Sequence, residues 1–209
     1  MSISEATTIE APGRVRTWTP VHTDGYHCDR FEFTLDLGEH QRRQAAGLGA
    51  FANLGWLGVL MELPSGYPVP WTALSDYAKR TMPKWPPGVV EFERSGRCYA
   101  TVTSLLTRPV MDGLALVHGK RFALGHLDRA SRFAPMGRRA VVYPPGVAEK
   151  ADPFAIAQYG FYGVGVGTHD GDDIRWLLEP AAYRPMRFTP AAWWFAETIY
   201  AQWLLHGPR

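Results

Sequence analysis

The stretch QAAGLGAFANLGWLGVLM, residues 44–61, runs for eighteen residues without a charge, and Arg42 and Arg43 stand directly before it. Eighteen apolar residues reach the lower limit for a membrane-spanning helix, and flanking arginines suit one. Three features argue instead for a helix buried in a folded core. At about 1.5 Å per residue the stretch extends roughly 27 Å, short of a hydrocarbon layer of about 30 Å. Asn53 sits near its centre and Glu62 comes directly after it. Leu48, Phe51, Leu54, Leu57 and Leu60 recur at every third residue, as one face of a helix does. The expectation is a core helix, broken near Gly55 or Gly58, and no membrane anchor.

The flanks of this segment read as strands. Upstream, VRTWTPVH and HCDRFEFTLDL surround the turn Asp24-Gly25, and Phe31, Phe33, Leu35 and Leu37 alternate onto one face, the pattern of a hairpin. Residues 1–13, ending in Pro12-Gly13, read as a flexible lead, so that a single domain occupies 14–209. Downstream, WTALSDYAKRTM reads as a short helix stopped by PKWPPG. VVEFER and RCYATVTSLL flank Ser95-Gly96 as a second hairpin, and LALVH with RFALGH suggests a third around Gly119-Lys120. RRAVVYPPG reads as a strand, EKADPFAIAQY as a helix, and GFYGVGVG with IRWLLEP as a last hairpin. The C-terminal TPAAWWFAETIYAQWLLHG has Thr189 as N-cap, Pro190 in the first turn and Gly207 at its end. Trp193, Ala196, Ile199 and Trp203 form its expected buried stripe. The fold class read from these elements is α+β, antiparallel β-hairpins packed against two or three helices in a single domain.

Composition narrows the function classes. Eight Trp, nine Tyr and ten Phe in 209 residues suit a packed core and argue against disorder. Cys28 and Cys98 are too few for a disulfide scaffold and too far apart for a Cys-x-x-Cys metal pair. With a polar N-terminus lacking a signal-peptide pattern, the expected compartment is the cytoplasm.

Charge is the strongest long-range feature. Between Lys79 and Arg139 there are twelve Lys or Arg against four acids, a formal +8, while the rest of the chain is −6. If the central hairpins bring these cations to one face, with Trp85, Tyr99, Phe122 or Phe133 between them, the surface suits phosphate backbones and stacked bases. If they pair with the acidic flanks, no patch remains. The leading expectation is a nucleic-acid or other polyanion binding protein, a subunit of a larger assembly, that uses Arg94, Arg97, Lys120, Arg121, Arg138 and Arg139.

Two rivals rest on other residues. His22, Asp24, His27 and Asp29 cluster at the first turn, and His169, Asp170, Asp172 and Asp173 at the last. Histidine and carboxylate at hairpin tips can hold a divalent metal or exchange protons, which would make a small metal-assisted hydrolase or nuclease. The same residues are also ordinary material for exposed turns. The third class is an interaction subunit docking through its aromatic C-terminal helix, with Trp194 on the outer side. GVGVGTHDG lacks the helix a dinucleotide fingerprint requires, and its glycines read as strand positions that mark bulges or close backbone approach. No Gly-x-Ser-x-Gly elbow is present, and neither cysteine stands beside a histidine in a way that makes a nucleophile.

Overall fold

The computed structural model describes residues 13–207 apart from 24, 171–172 and 185–186; the expected N-terminal lead lies outside these residues except for Gly13. The first hairpin forms as its alternation requires. Strands β1 (Arg14–Thr23) and β2 (Tyr26–Asp36) pair antiparallel, and Phe31, Phe33 and Leu35 are buried on one face.

The 44–61 segment is not one helix. Gln44 and Ala45 end α1 (Leu37–Ala45), which begins earlier than expected because Asp36 caps it by accepting from the Glu39 amide at 2.9 Å. Gly47 adopts a left-handed φ of 64° and stops that helix. The chain then runs irregularly until Asn53 accepts from the Trp56 amide and starts α2 (Leu54–Leu60). A left-handed glycine and a new N-cap thus divide the apolar run. Leu48, Phe51, Leu57 and Leu60 are buried all the same, whereas Leu54 is exposed. Among the described residues no helix is long and apolar enough to cross a membrane.

A small antiparallel sheet comes next. It is ordered β3 (Pro68–Pro70), β5 (Cys98–Ser104), β4 (Val90–Ser95), with α3 (Asp76–Thr81) and two 3-10 turns leading into it. The β4–β5 turn falls on Gly96 and Arg97, one residue later than expected, since Ser95 and Cys98 are paired and Gly96 has a φ of 63°.

The larger correction concerns the middle of the chain. Val110–His118 forms β6, but RFALGH is no returning strand: Leu124–Ser131 is α4, with β7 (Arg138–Tyr143) after it. Leu127, Ala130 and Phe133 recur at every third residue and are buried, and this helical spacing overrides the short apolar run of Phe122 and Leu124. A strand, helix, strand connection makes neighbours parallel. The same unit repeats through α5 (Pro153–Phe161) to β8 (Gly165–Asp170), which turns back as β9 (Asp173–Leu178). The six-stranded sheet therefore has the order β1-β2-β6-β7-β8-β9, with β6, β7 and β8 parallel and the outer pairs antiparallel. The fold is α+β, with six helices among the described residues where two or three were expected and a mixed principal sheet in place of hairpins alone.

Helix α6 (Pro190–His206) joins the two halves. Its N-cap is Thr189, and the expected stripe of Trp193, Ala196, Ile199 and Trp203 is buried, together with Phe195, Glu197 and Tyr200. Trp193 packs among Leu48, Phe51, Leu57 and Trp85 under the small sheet, while Phe195, Ile199 and Tyr200 pack with α4, α5 and the large sheet. Trp194, the expected outward contact, is half-buried against both cores. An ion cluster pins the join. Arg43, fully buried, donates to both Glu197 oxygens at 2.7 Å and to Glu39 at 2.6 Å, and Glu197 also accepts from the Phe51 amide and the Trp193 indole.

Candidate functional site

Parallel strands end on one edge, and the antiparallel neighbours β2 and β9 begin there. Strand topology thus brings the β1–β2 tip, the loop after β6, the start of α4 and the β8–β9 tip to the carboxyl edge of the sheet. In sheets with parallel strands this is the edge where ligands bind, because loops diverge from it. Five of the seven histidines collect here, His22, His27, His118, His126 and His169.

One side of this edge carries a cleft of about 420 Å³ lined by His22, Gly25, His27, Arg129 and Arg132. His22 and His27 are cross-strand partners with ring centres 6.0 Å apart. Arg129 lies in the last turn of α4, and Arg132, three residues on, is its C-cap. Arg132 lies 3.3 Å from Asp128, an exposed pair of little energetic weight.

The other side carries a histidine pair. Alternation places Leu114, Leu116 and His118 on the face of β6 opposite Ala115 and Val117, and the first two pack on Ala140 and Val142. The His118 and His169 rings meet nearly perpendicular, centres 4.9 Å apart. Asp29 stands between the two sides: it accepts from the His118 amide at 2.8 Å and lies 3.7 Å from Arg129. Burial holds the His118 imidazole below its ordinary range; Asp29 pulls the other way, and His169 and Arg30 add to the depression. His118 is therefore a neutral acceptor at neutral pH.

The loop between these sides is held from below. Tyr143 and Tyr159 hydroxyls are 2.9 Å apart in the core, and Tyr159 donates to the Ala123 carbonyl. His126 lies over Gly119, where a Cβ would stand 2.9 Å from its ring and 2.5 Å from Tyr143, so glycine is required for the closeness of the packing. Burial first, then Arg129 and Arg121, lowers the His126 pKa. Lys120 and Arg121 project from this loop, exposed, and pair with no carboxylate among the described residues.

The six expected cations fall in three places. Lys120 and Arg121 are at the carboxyl edge. Arg138 and Arg139 begin β7, whose length puts them roughly 16 Å away at the amino edge, where Arg139 donates to the Tyr162 carbonyl at 2.6 Å. Arg94 and Arg97 lie at the hairpin of the small sheet, with Arg94 stacked 4.9 Å over Tyr99. Sequence reading missed Arg129, Arg132, His118 and His126 as site residues. Their signal is the three-residue spacing through HLDRASRF, which the strand-like run before it conceals.

The two His/Asp turns do reach the same edge, although Asp24 and Asp172 lie outside the described residues. Among the described residues no three His, Cys, Asp or Glu side chains are placed to hold a metal ion. The glycines of GVGVG are close-approach positions, as expected: a Cβ at Gly167 would stand 2.4 Å from Ile174, and one at Gly165 2.7 Å from the Pro180 nitrogen. Cys28 is buried, and burial together with the nearby Asp29 pushes its pKa up to about 12, which leaves it inert as a nucleophile. No protein-family model, curated protein or solved structure matches the chain.

Proposed function

We propose that the protein binds nucleic acid along the carboxyl edge of its parallel strands. The observation that carries this reading is the cleft of His22, His27, Arg129 and Arg132, with the exposed Lys120 and Arg121 on the same edge of the sheet. Its volume suits a nucleotide-sized group. Arginine forks are charge-assisted donors for phosphate oxygens, imidazole N–H groups are further donors, and Lys120 and Arg121 add cations on the same edge of the sheet. Affinity comes from phosphate contacts, which position a strand without reading its sequence. Arg94, Arg97, Arg138 and Arg139 stand away from this edge. Fluorescence polarisation with labelled single-stranded RNA, single-stranded DNA and duplex DNA, titrated over salt, tests the reading. Binding should weaken linearly in log salt, and Lys120→Glu with Arg121→Glu should reduce the slope by about 1.4 on a single strand, two contacts' worth. The same reversal at Arg138 and Arg139 should leave it unchanged.

A second reading is supported by the His118 and His169 pair, which has the composition of a general acid and base acting on a phosphodiester. Cleavage of bound RNA in the presence of a chelator, abolished by His118→Gln or His169→Gln with binding retained, would establish it; intact RNA after prolonged incubation would leave binding alone.

A further inference from the structure

A second cavity, of about 70 Å³, lies at the start of β6, against the first half of α6 and the chain leading into that helix. Asp112 on its rim and His118 at the carboxyl edge are six residues apart on one strand, roughly 20 Å, so this cavity is separate from the cleft described above. Its floor is apolar and buried, made by Phe31, Val110 and Phe195. Tyr183 fixes one wall by donating to the Pro135 carbonyl at 2.7 Å.

Two charges of opposite sign stand at the rim. Arg108 is exposed, and its guanidinium lies over the Phe188 ring, 4.1 Å from the centre. Stacking occupies the face of the guanidinium and leaves its in-plane N–H fork for a carboxylate. A bulge places Asp112. The register passes from Glu32 opposite Leu114 to Thr34 opposite Met111, so Phe33 stands opposite both Asp112 and Gly113. Asp112 takes a φ of 52°, the only left-handed non-glycine among the described residues. Glycine or asparagine, both neutral, would serve that backbone equally, so the carboxylate exceeds what the bulge requires. Neither Arg108 nor Asp112 forms an ion pair among the described residues, although both line one small cavity. A simple anion bound here would meet Asp112, and a simple cation would meet Arg108; a zwitterion complements both. The volume is about half of the roughly 150 Å³ that admits benzene, which leaves room for a side chain of about three carbons. We propose that this cavity binds a free α-amino acid with a short aliphatic side chain, its carboxylate on Arg108, its ammonium on Asp112 and its side chain on the floor of Phe31, Val110 and Phe195.

Isothermal titration calorimetry on the full chain tests this with L-valine, with isovalerate, which is valine without its ammonium, and with isobutylamine, which is valine without its carboxylate. L-Valine should bind with a Kd of about 1 mM or tighter. Isovalerate and isobutylamine should each bind about tenfold more weakly or less, since each leaves one rim charge without a partner. L-Tryptophan, too large for the cavity, should give no heat. Arg108→Gln and Asp112→Asn should each weaken L-valine by about tenfold or more while circular dichroism stays native, because asparagine tolerates the left-handed backbone. No heat from L-valine at about 10 mM would overturn the proposal. Isovalerate binding as tightly as L-valine, or L-valine binding unchanged in either variant, would overturn it equally.

Discussion

Arg43 and Glu197 form a two-pronged ion pair, 2.7 Å at each contact, with both side chains fully shielded from solvent. They are 154 residues apart and tie α1 to α6, and through Phe51 and Thr107 they also hold the irregular 46–53 segment and the chain entering β6.

Removing one member leaves the other buried and uncompensated. Arg43→Met or Glu197→Gln should therefore cost about 3–5 kcal/mol of unfolding free energy. Arg43→Met combined with Glu197→Leu should cost less than the two single changes together, because the pair has been replaced by packing. Urea unfolding of the four proteins checks this. A loss below about 1 kcal/mol for the single variants would mean the cluster is not the structural tie described.

Stability should fall on acidification in two stages. Burial, the largest influence in each case, lowers the pKa of His40, His118 and His126 below 6.5. Between the ordinary and the lowered values the unfolded chain binds more protons than the folded one, so stability declines as pH drops through 6.5. Glu39 adds a later loss. Burial pushes its carboxyl up, but hydrogen bonds from Arg42 and Arg43 outweigh this and hold it below 4.5, so its contribution, present above that value, disappears as pH falls through the lowered one. Thermal melts from pH 8 to pH 3 should show both declines.

The two thiols should separate cleanly. Cys98 is exposed on the small sheet, and Cys28 is buried with a pKa pushed up to about 12. A disulfide reagent at pH 8 should modify one thiol per native chain and two after denaturation. Rapid loss of both in the native protein would contradict the burial of Cys28, on β2, in the core.

The extent of the fold legible in sequence depends on how local each signal is. Phe31, Phe33 and Leu35 announce β2 by alternation, and Thr189-Pro190 announces α6 by its cap, since both signals need only neighbouring residues. The parallel core is hidden because a strand's direction relative to its neighbour is set by the connection between them, and a connection through a helix reverses the expectation of a hairpin. Reading Phe122 and Leu124 as returning partners of β6 makes a hairpin out of a crossover. Residues 44–61 mislead for a related reason: uniform apolarity records burial, while Gly47 and Asn53 decide where helices stop and start. The candidate site is legible only in pieces. The His/Asp turns and Lys120 with Arg121 are each marked, yet His118 meets His169 across 51 positions, and only strand order brings them together. Arg138 and Arg139 look equivalent to Lys120 and Arg121 because charge counts do not say at which end of a strand a residue lies.

The most direct test of the proposed site is hydrogen exchange with and without a saturating single-stranded oligonucleotide. Binding at the carboxyl edge should slow exchange in residues 21–30, 118–132 and 166–170 and leave the β4–β5 hairpin and the amino end of β7 unchanged. Protection centred on Arg94 and Arg97 or on Arg138 and Arg139, or none at the carboxyl edge, would contradict it.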